Sequence, residues 1–341
     1  MLHFDTDYME GAHPEVMKRL LETNLEQTAG YGCDEYCERA KSLIKAACGL
    51  TEGSVHFLVG GTQTNATVID GLLRRHEGVM CADTAHINVH ESGAVEASGH
   101  KVLALPQCGG KVAALTVDGY VRQFCRDETR GHQVAPGMLY ISYPTEYGTL
   151  YSRRELEELS AVCREHHIPL YIDGARLGYG LASDRADVGL EDLARLADVF
   201  YIGGTKVGAL FGEAVVVTRD GLLPHFFPLV KQHGALLAKG RLLGVQFEAL
   251  FTDGLYLKIS RHAVRLAMKL RTAFERKGYR MPVDSPTNQQ FVVLPNEEMD
   301  RLARVATFEV WGVRGERETA VRFVTSWATS EEDVDKLISA L

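Results

Sequence analysis

A lysine and an aspartate close two hydrophobic runs 33 residues apart. The run Asp198-Val199-Phe200-Tyr201-Ile202 enters Gly203-Gly204-Thr205 and delivers Lys206 to a turn. Upstream, Leu170-Tyr171-Ile172 ends in Asp173 and continues as Gly174-Ala175-Arg176. The separation is about one strand–helix–strand unit, so both side chains are expected at strand ends. A neutral lysine amine attacks an aldehyde, and a carboxylate beside a pyridinium nitrogen keeps that ring protonated and able to accept electrons. The pair suits pyridoxal 5'-phosphate (PLP), with Lys206 joined to the cofactor and Asp173 on its ring nitrogen. Burial and nearby positive charge would favour the neutral lysine. Taken singly, each residue has an ordinary alternative, a surface lysine and a helix-capping aspartate.

Other candidates lie before and after this pair. Val59-Gly60-Gly61-Thr62 joins a strand to a helix, where small residues leave backbone N–H groups free to meet a phosphate. An ordinary tight turn is the alternative. The motif is neither GxGxxG nor a Walker loop, which disfavours a nicotinamide dehydrogenase. His86, in Ala85-His86-Ile87, can lie flat on a cofactor ring. His86 and His90 share a four-residue spacing, but the order is not H-E-x-x-H and no third ligand is evident, so no metal is expected. Arg176 and Arg322 offer planar forks for a carboxylate, with ion pairing or an exposed strand position as alternatives.

The elements that position these residues alternate. Strands are expected at Val55–Val59, Val79–Ala82, Val102–Leu105, Met138–Ser142, Leu170–Ile172, Asp198–Ile202 and Glu213–Thr218. Helices are expected from Pro14 to Asn24, behind Asp34, after Gly60-Gly61-Thr62 as far as Arg75, and at Val89–Ser98, Val117–Arg126 and Arg153–His166. This is an α/β pattern with a mostly parallel sheet covered on both faces. Residues 1–12 read as an irregular arm. Long amphipathic helices are expected between 235 and 277. Beyond Gly278 the order changes to strands at Phe291–Leu294, Thr307–Trp311 and Val321–Thr325, a helix at Glu297–Ala306, and a last helix capped by Ser330. The expected division is an arm and large domain over 1–245 and a small α+β domain over 246–341.

Composition narrows the class. The 341 residues carry a net charge of −8 with no basic run, which disfavours nucleic acid. No apolar stretch reaches the ~20 residues needed to cross a bilayer, and Met1-Leu2-His3-Phe4-Asp5 has no signal-peptide character. Seven scattered cysteines point to reduced thiols and a cytoplasmic location.

The ordered elements Tyr31-Gly32, Gly61-Thr62, Ala85-His86-Ile87, Thr145-Glu146-Tyr147-Gly148-Thr149, Asp173-Gly174-Ala175-Arg176, Gly204-Thr205-Lys206 and Arg322-Phe323-Val324-Thr325-Ser326-Trp327 resemble the low-specificity L-threonine aldolases. These belong to the aromatic amino acid β-eliminating lyase/threonine aldolase group of fold-type I PLP enzymes. The resemblance implies a seven-stranded, mostly parallel large domain with a smaller C-terminal one. It implies cleavage of L-threonine, L-allo-threonine or related β-hydroxy-α-amino acids to glycine and an aldehyde. By it, Lys206 and Asp173 hold PLP, Gly61 and Thr62 take the phosphate, and His86 stacks on the ring. Arg176 and Arg322 hold the substrate carboxylate, and His132 is a second active-site histidine. Thr6 stands where many relatives place a carboxylate-contacting serine. Tyr31, Lys231 and Lys239 fall where relatives reach across a subunit interface, so a homodimer or homotetramer with shared sites is implied. The residues themselves leave open β-elimination on another amino acid and a non-catalytic binding protein.

Overall fold

Met138, Leu139, Tyr140 and Ile141 are consecutive and all buried. Leu139 and Ile141 enter one core with Ile172, Phe200 and Ile202, while Met138 and Tyr140 enter another with Tyr171, Tyr201 and Val215. Successive side chains on a strand point to opposite faces, so an unbroken apolar run marks a sheet covered on both sides. The computed structural model describes all 341 residues and shows this sheet. After a short β1 (Leu2–His3) come β2 (Ser54–Leu58), β3 (Glu77–Ala82), β4 (Lys101–Leu105), β5 (Ala135–Ser142), β6 (Leu170–Asp173), β7 (Val199–Gly203) and β8 (Glu213–Val217). Their order is β2-β8-β7-β6-β5-β3-β4.

The β3/β4, β3/β5, β5/β6 and β6/β7 pairs are parallel. Strand β8 runs antiparallel to both β7 and β2. The reason is connection length: Gly204 to Gly212 is too short for the crossover a parallel pair needs, which takes about a dozen residues. The expected fold-type I architecture, mostly parallel and seven-stranded, is present, with β8 reversed.

A second body follows. Strands β9 (Gln289–Pro295), β10 (Ala306–Thr307), β11 (Glu309–Val310) and β12 (Glu318–Val324) form the antiparallel sheet β11-β12-β9 and a separate β1-β10 pair. Its core joins Phe4, Leu266, Leu270, Phe274, Val292 and Phe323. The N-terminal arm is thus more ordered than expected: Leu2 and His3 pair with Ala306 and Thr307, and Phe4 is fully buried. The expected strand Thr307–Trp311 is split between two sheets. The expected helix Val89–Ser98 is instead two single turns, His86–Val89 and Ala94–Ala97, because Ser92 and Gly93 take positive φ angles between them. Residues 245 and 246, the expected division, lie inside the helix Arg241–Phe251.

Candidate active site

Asp173 ends β6 and shares a sheet face with Tyr171, two residues earlier. Tyr140 of β5 sits opposite Tyr171, and Tyr201 of β7 lies on the same face. This places three tyrosines beneath one carboxylate. Tyr201 OH donates to Asp173 Oδ1 at 2.5 Å and Tyr140 OH to Oδ2 at 2.6 Å. Asn65 Nδ2 donates to Oδ2 at 2.9 Å and the Ala175 N–H to Oδ1 at 2.9 Å. Tyr171 OH donates to Asn65 Oδ1, which turns the amide NH2 toward the acid. Burial alone would raise the Asp173 pKa. The charge of His86 and the hydrogen bonds from Tyr140, Tyr201 and Ala175 outweigh it and hold the carboxyl below its usual range. The next residue must be glycine, since a Cβ on Gly174 would stand 1.8 Å from the Tyr201 carbonyl oxygen. Gly174→Ala is expected to lower stability by about 1–3 kcal/mol through forced backbone shifts, read as a lower midpoint in urea unfolding.

Lys206 reaches the same cavity from the next strand. Gly203 and Gly204 allow the chain to pass close to its neighbours: a Cβ on Gly203 would lie 2.4 Å from the Ala175 carbonyl oxygen, and one on Gly204 2.7 Å from that of Gly212. Lys206 and Asp173 then line one cavity of about 300 Å³ with Gly61, Thr62, His86, Thr205 and Glu213. Burial first, and Arg176 second, push the Lys206 pKa down. Beside it, Glu213 accepts from Thr205 Oγ1 at 2.8 Å and from the Gly204 N–H at 3.1 Å, and burial pushes its pKa up. The helix Gly61–Leu72 points its first turn at this cavity, and Gly60 gives it no side-chain cap. The first N–H groups of a helix have no intrahelical acceptor, so an anion fits there.

His86 Nδ1 pairs with Glu91 Oε1 at 2.7 Å, and the same oxygen accepts from Asn65 Nδ2 at 2.8 Å. The ring is thereby tied to the Asp173 network. Glu146 Oε1 accepts from the His86 N–H at 2.9 Å and from Ser142 Oγ at 2.7 Å. An adjoining outer cavity holds Tyr8, His86, His90, Glu146, Arg176, Lys206, Glu309, Trp311 and Arg322. Arg176 gives its Nε and Nη2 to Asp7, at 2.7 and 2.9 Å, and Asn288 Nδ2 adds a third bond to Asp7 at 2.9 Å. Asp7 is 0% exposed. Asp7→Asn leaves a buried guanidinium without its counter-ion, so a loss of about 3–5 kcal/mol is expected in denaturant unfolding.

The structure therefore brings Lys206, Asp173, Gly61, Thr62, His86, Arg176 and Arg322 together. It does not bring His132. That residue lies on the exposed turn Arg130–His132, before the first residue of β5. The site is at the other end of that eight-residue strand, about 25 Å away at ~3.3 Å per residue. Tyr31 is also outside: it lines a separate cavity with Phe57, Phe227 and Leu236, under the Lys231 ammonium at 4.7 Å. Thr6 follows the arm next to Asp7, its hydroxyl buried without a partner. Sequence reasoning missed Asp7, Asn65, Glu91, Glu146 and Glu309. It also passed over Tyr140, Tyr171 and Tyr201, although a tyrosine near the end of three successive strands was a legible signal.

The model of the family described as beta-eliminating lyase matches residues 3–297. The chain belongs to this beta-eliminating lyase family. Among its relatives, a threonine aldolase from Leishmania major superposes with a TM-score of 0.96 at 39% identity, over 99% of this chain and 98% of that one. A low specificity L-threonine aldolase from Pseudomonas aeruginosa is 28% identical over 98% of this chain and 95% of its own length. An aspartate aminotransferase from Thermus thermophilus, with a TM-score of 0.72 at 15% identity, shares the lyase's fold over the whole chain and 90% of its own.

Proposed function

We propose that this lyase is a PLP-dependent aldolase that cleaves L-threonine, L-allo-threonine or related β-hydroxy-α-amino acids to glycine and an aldehyde. The observation that carries the reading is that Lys206 and Asp173 line one cavity, with an uncapped helix N-terminus beside them. The residues fit the cofactor: Gly61 and Thr62 would take its phosphate, Asp173 its ring nitrogen, His86 its ring face and Lys206 its aldehyde. When bound, PLP supplies the electron sink for cleavage of a bond at the substrate's α-carbon.

The chain's own groups do the rest. Asp173, held ionised by four donors, keeps the ring nitrogen protonated. Arg322 orients the substrate's carboxylate, and Arg176, expected to share that role, is instead held by Asp7 and adds positive charge beside it. His86 takes the proton of the β-hydroxyl at Nε2, its Nδ1 being fixed by Glu91. The lowered pKa of Lys206 lets its Nζ accept and return a proton.

Purified protein incubated with L-threonine and with L-allo-threonine should release glycine and an aldehyde in equal amounts. The alternative, β-elimination on another amino acid, is kept by the family's description. A keto acid and ammonia without glycine would establish it and reject the aldolase.

Two further expectations belong to this reading. The half-exposed Tyr31, with Leu25 and Phe227 also exposed, supports a subunit interface in a homodimer or homotetramer with shared sites. Seven free thiols support a reducing, cytoplasmic setting. No helix is long and apolar enough to cross a membrane.

A further inference from the structure

Both arginines of the cavity are already paired with carboxylates of the chain, but the two pairs differ in kind. Asp7 is fully buried, takes the whole Nε–Nη2 edge of Arg176 and is tied a third time by Asn288. It has no route out. Glu309 sits on the two-residue edge strand β11 with its side chain 46% exposed. Arg322 is its sole hydrogen-bond partner. Glu309 can therefore swing into solvent without breaking another contact.

Arg322 itself is fixed independently of Glu309. Its Nη1 donates to Gln289 Oε1 at 2.8 Å, and its guanidinium lies 5.3 Å from the Trp311 ring centre. Its Nε is buried and has no partner, while Nη2 of the same edge is held by Glu309. One edge of the guanidinium is thus half satisfied, although it is the edge that grips a carboxylate bidentately on Arg176. Burial and the nearby Arg176 both disfavour the Arg322 charge, and Glu309 opposes them.

We propose that Glu309 is a displaceable counter-ion, which holds Arg322 until the α-carboxylate of the amino-acid substrate replaces it on the Nε–Nη2 edge. The proposal rests on the reading of the cavity as an amino-acid site. Asp7 keeps Arg176 in place, and Glu309 sets the affinity at Arg322. Substrate must break the Arg322–Glu309 pair and then stand near the displaced carboxylate, and both effects weaken binding. A substrate that enters restores two parallel N–H···O bonds where the resting protein has one.

The test is Glu309→Gln, which keeps the side chain's size and removes its charge. Glycine is titrated into the holoenzyme of each protein by calorimetry, and KM is measured with L-threonine. Removing a half-exposed competing ion pair should lower the glycine Kd about fivefold and KM by a similar factor. A Kd that is unchanged or higher in Glu309→Gln overturns the proposal, because Glu309 would then be a support for Arg322. Failure of glycine to bind either protein overturns it as well. If the parent releases glycine from L-threonine but the variant binds no tighter, only this proposal falls. If no β-hydroxy amino acid is cleaved yet glycine binds tighter to the variant, the aldolase reading falls and the role of Glu309 stands.

Discussion

Lys206→Ala is expected to cut glycine release from L-threonine by at least about 10³-fold while leaving a folded protein. The loss is large because the proposed mechanism uses one amine twice, as the group joined to the cofactor and as a proton carrier. The fold survives because Lys206 Nζ makes no hydrogen bond or ion pair in the chain. Its Nζ lies 5.8 Å from the centre of the Tyr8 ring. The turn that presents Lys206 is built by backbone contacts: Gly204 and Thr205 both donate their N–H groups to the Gly212 carbonyl. Steady-state kinetics and a thermal melt on one preparation decide the matter. Retained activity at a normal melting temperature would remove Lys206 from the chemistry.

Asp173→Asn is expected to reduce kcat by about 10²–10³-fold, the usual cost of removing one preorganised charge from a closed site. A second effect is built into the geometry. Four donors converge on the two carboxylate oxygens, and an amide offers one oxygen and one NH2 group in their place. The NH2 would face at least one donor from Tyr140, Tyr201, Asn65 or Ala175. A stability loss of about 1–3 kcal/mol should therefore accompany the kinetic one. A variant with full activity and unchanged stability would show that the tyrosine-bound carboxylate does not act on the ring nitrogen.

The sheet was legible because its signal is local. Apolar runs such as Leu170-Tyr171-Ile172 and Phe200-Tyr201-Ile202 are buried on both faces, and the helices between them declare their own period. Asp34 and Ser330 cap helices as their types suggest, accepting from the N–H groups of Cys37 and Asp333. The placing of Lys206 and Asp173 in one cavity was legible for the same reason, since each residue closes such a run. The partners that tune the pair were not. Asp7 meets Arg176 across 169 positions and Asn65 meets Asp173 across 108, and nothing in the spacing of either segment announces the contact. His132 shows the converse error. It precedes β5 as expected, but the site lies at the far end of the strand, and sequence order does not say which end matters. Thr307–Trp311 reads as one strand because four of its five residues are β-branched or aromatic, whereas the chain changes sheets at Phe308.

The central claim is a covalent link between PLP and Lys206. Treating the purified holoenzyme with borohydride, digesting it and mapping the peptides by mass spectrometry tests it most directly. The reduced cofactor should be found as added mass on the peptide that contains Lys206, and on no other lysine. Cofactor mass on a different lysine, or none on a protein that is active with L-threonine, would contradict the account.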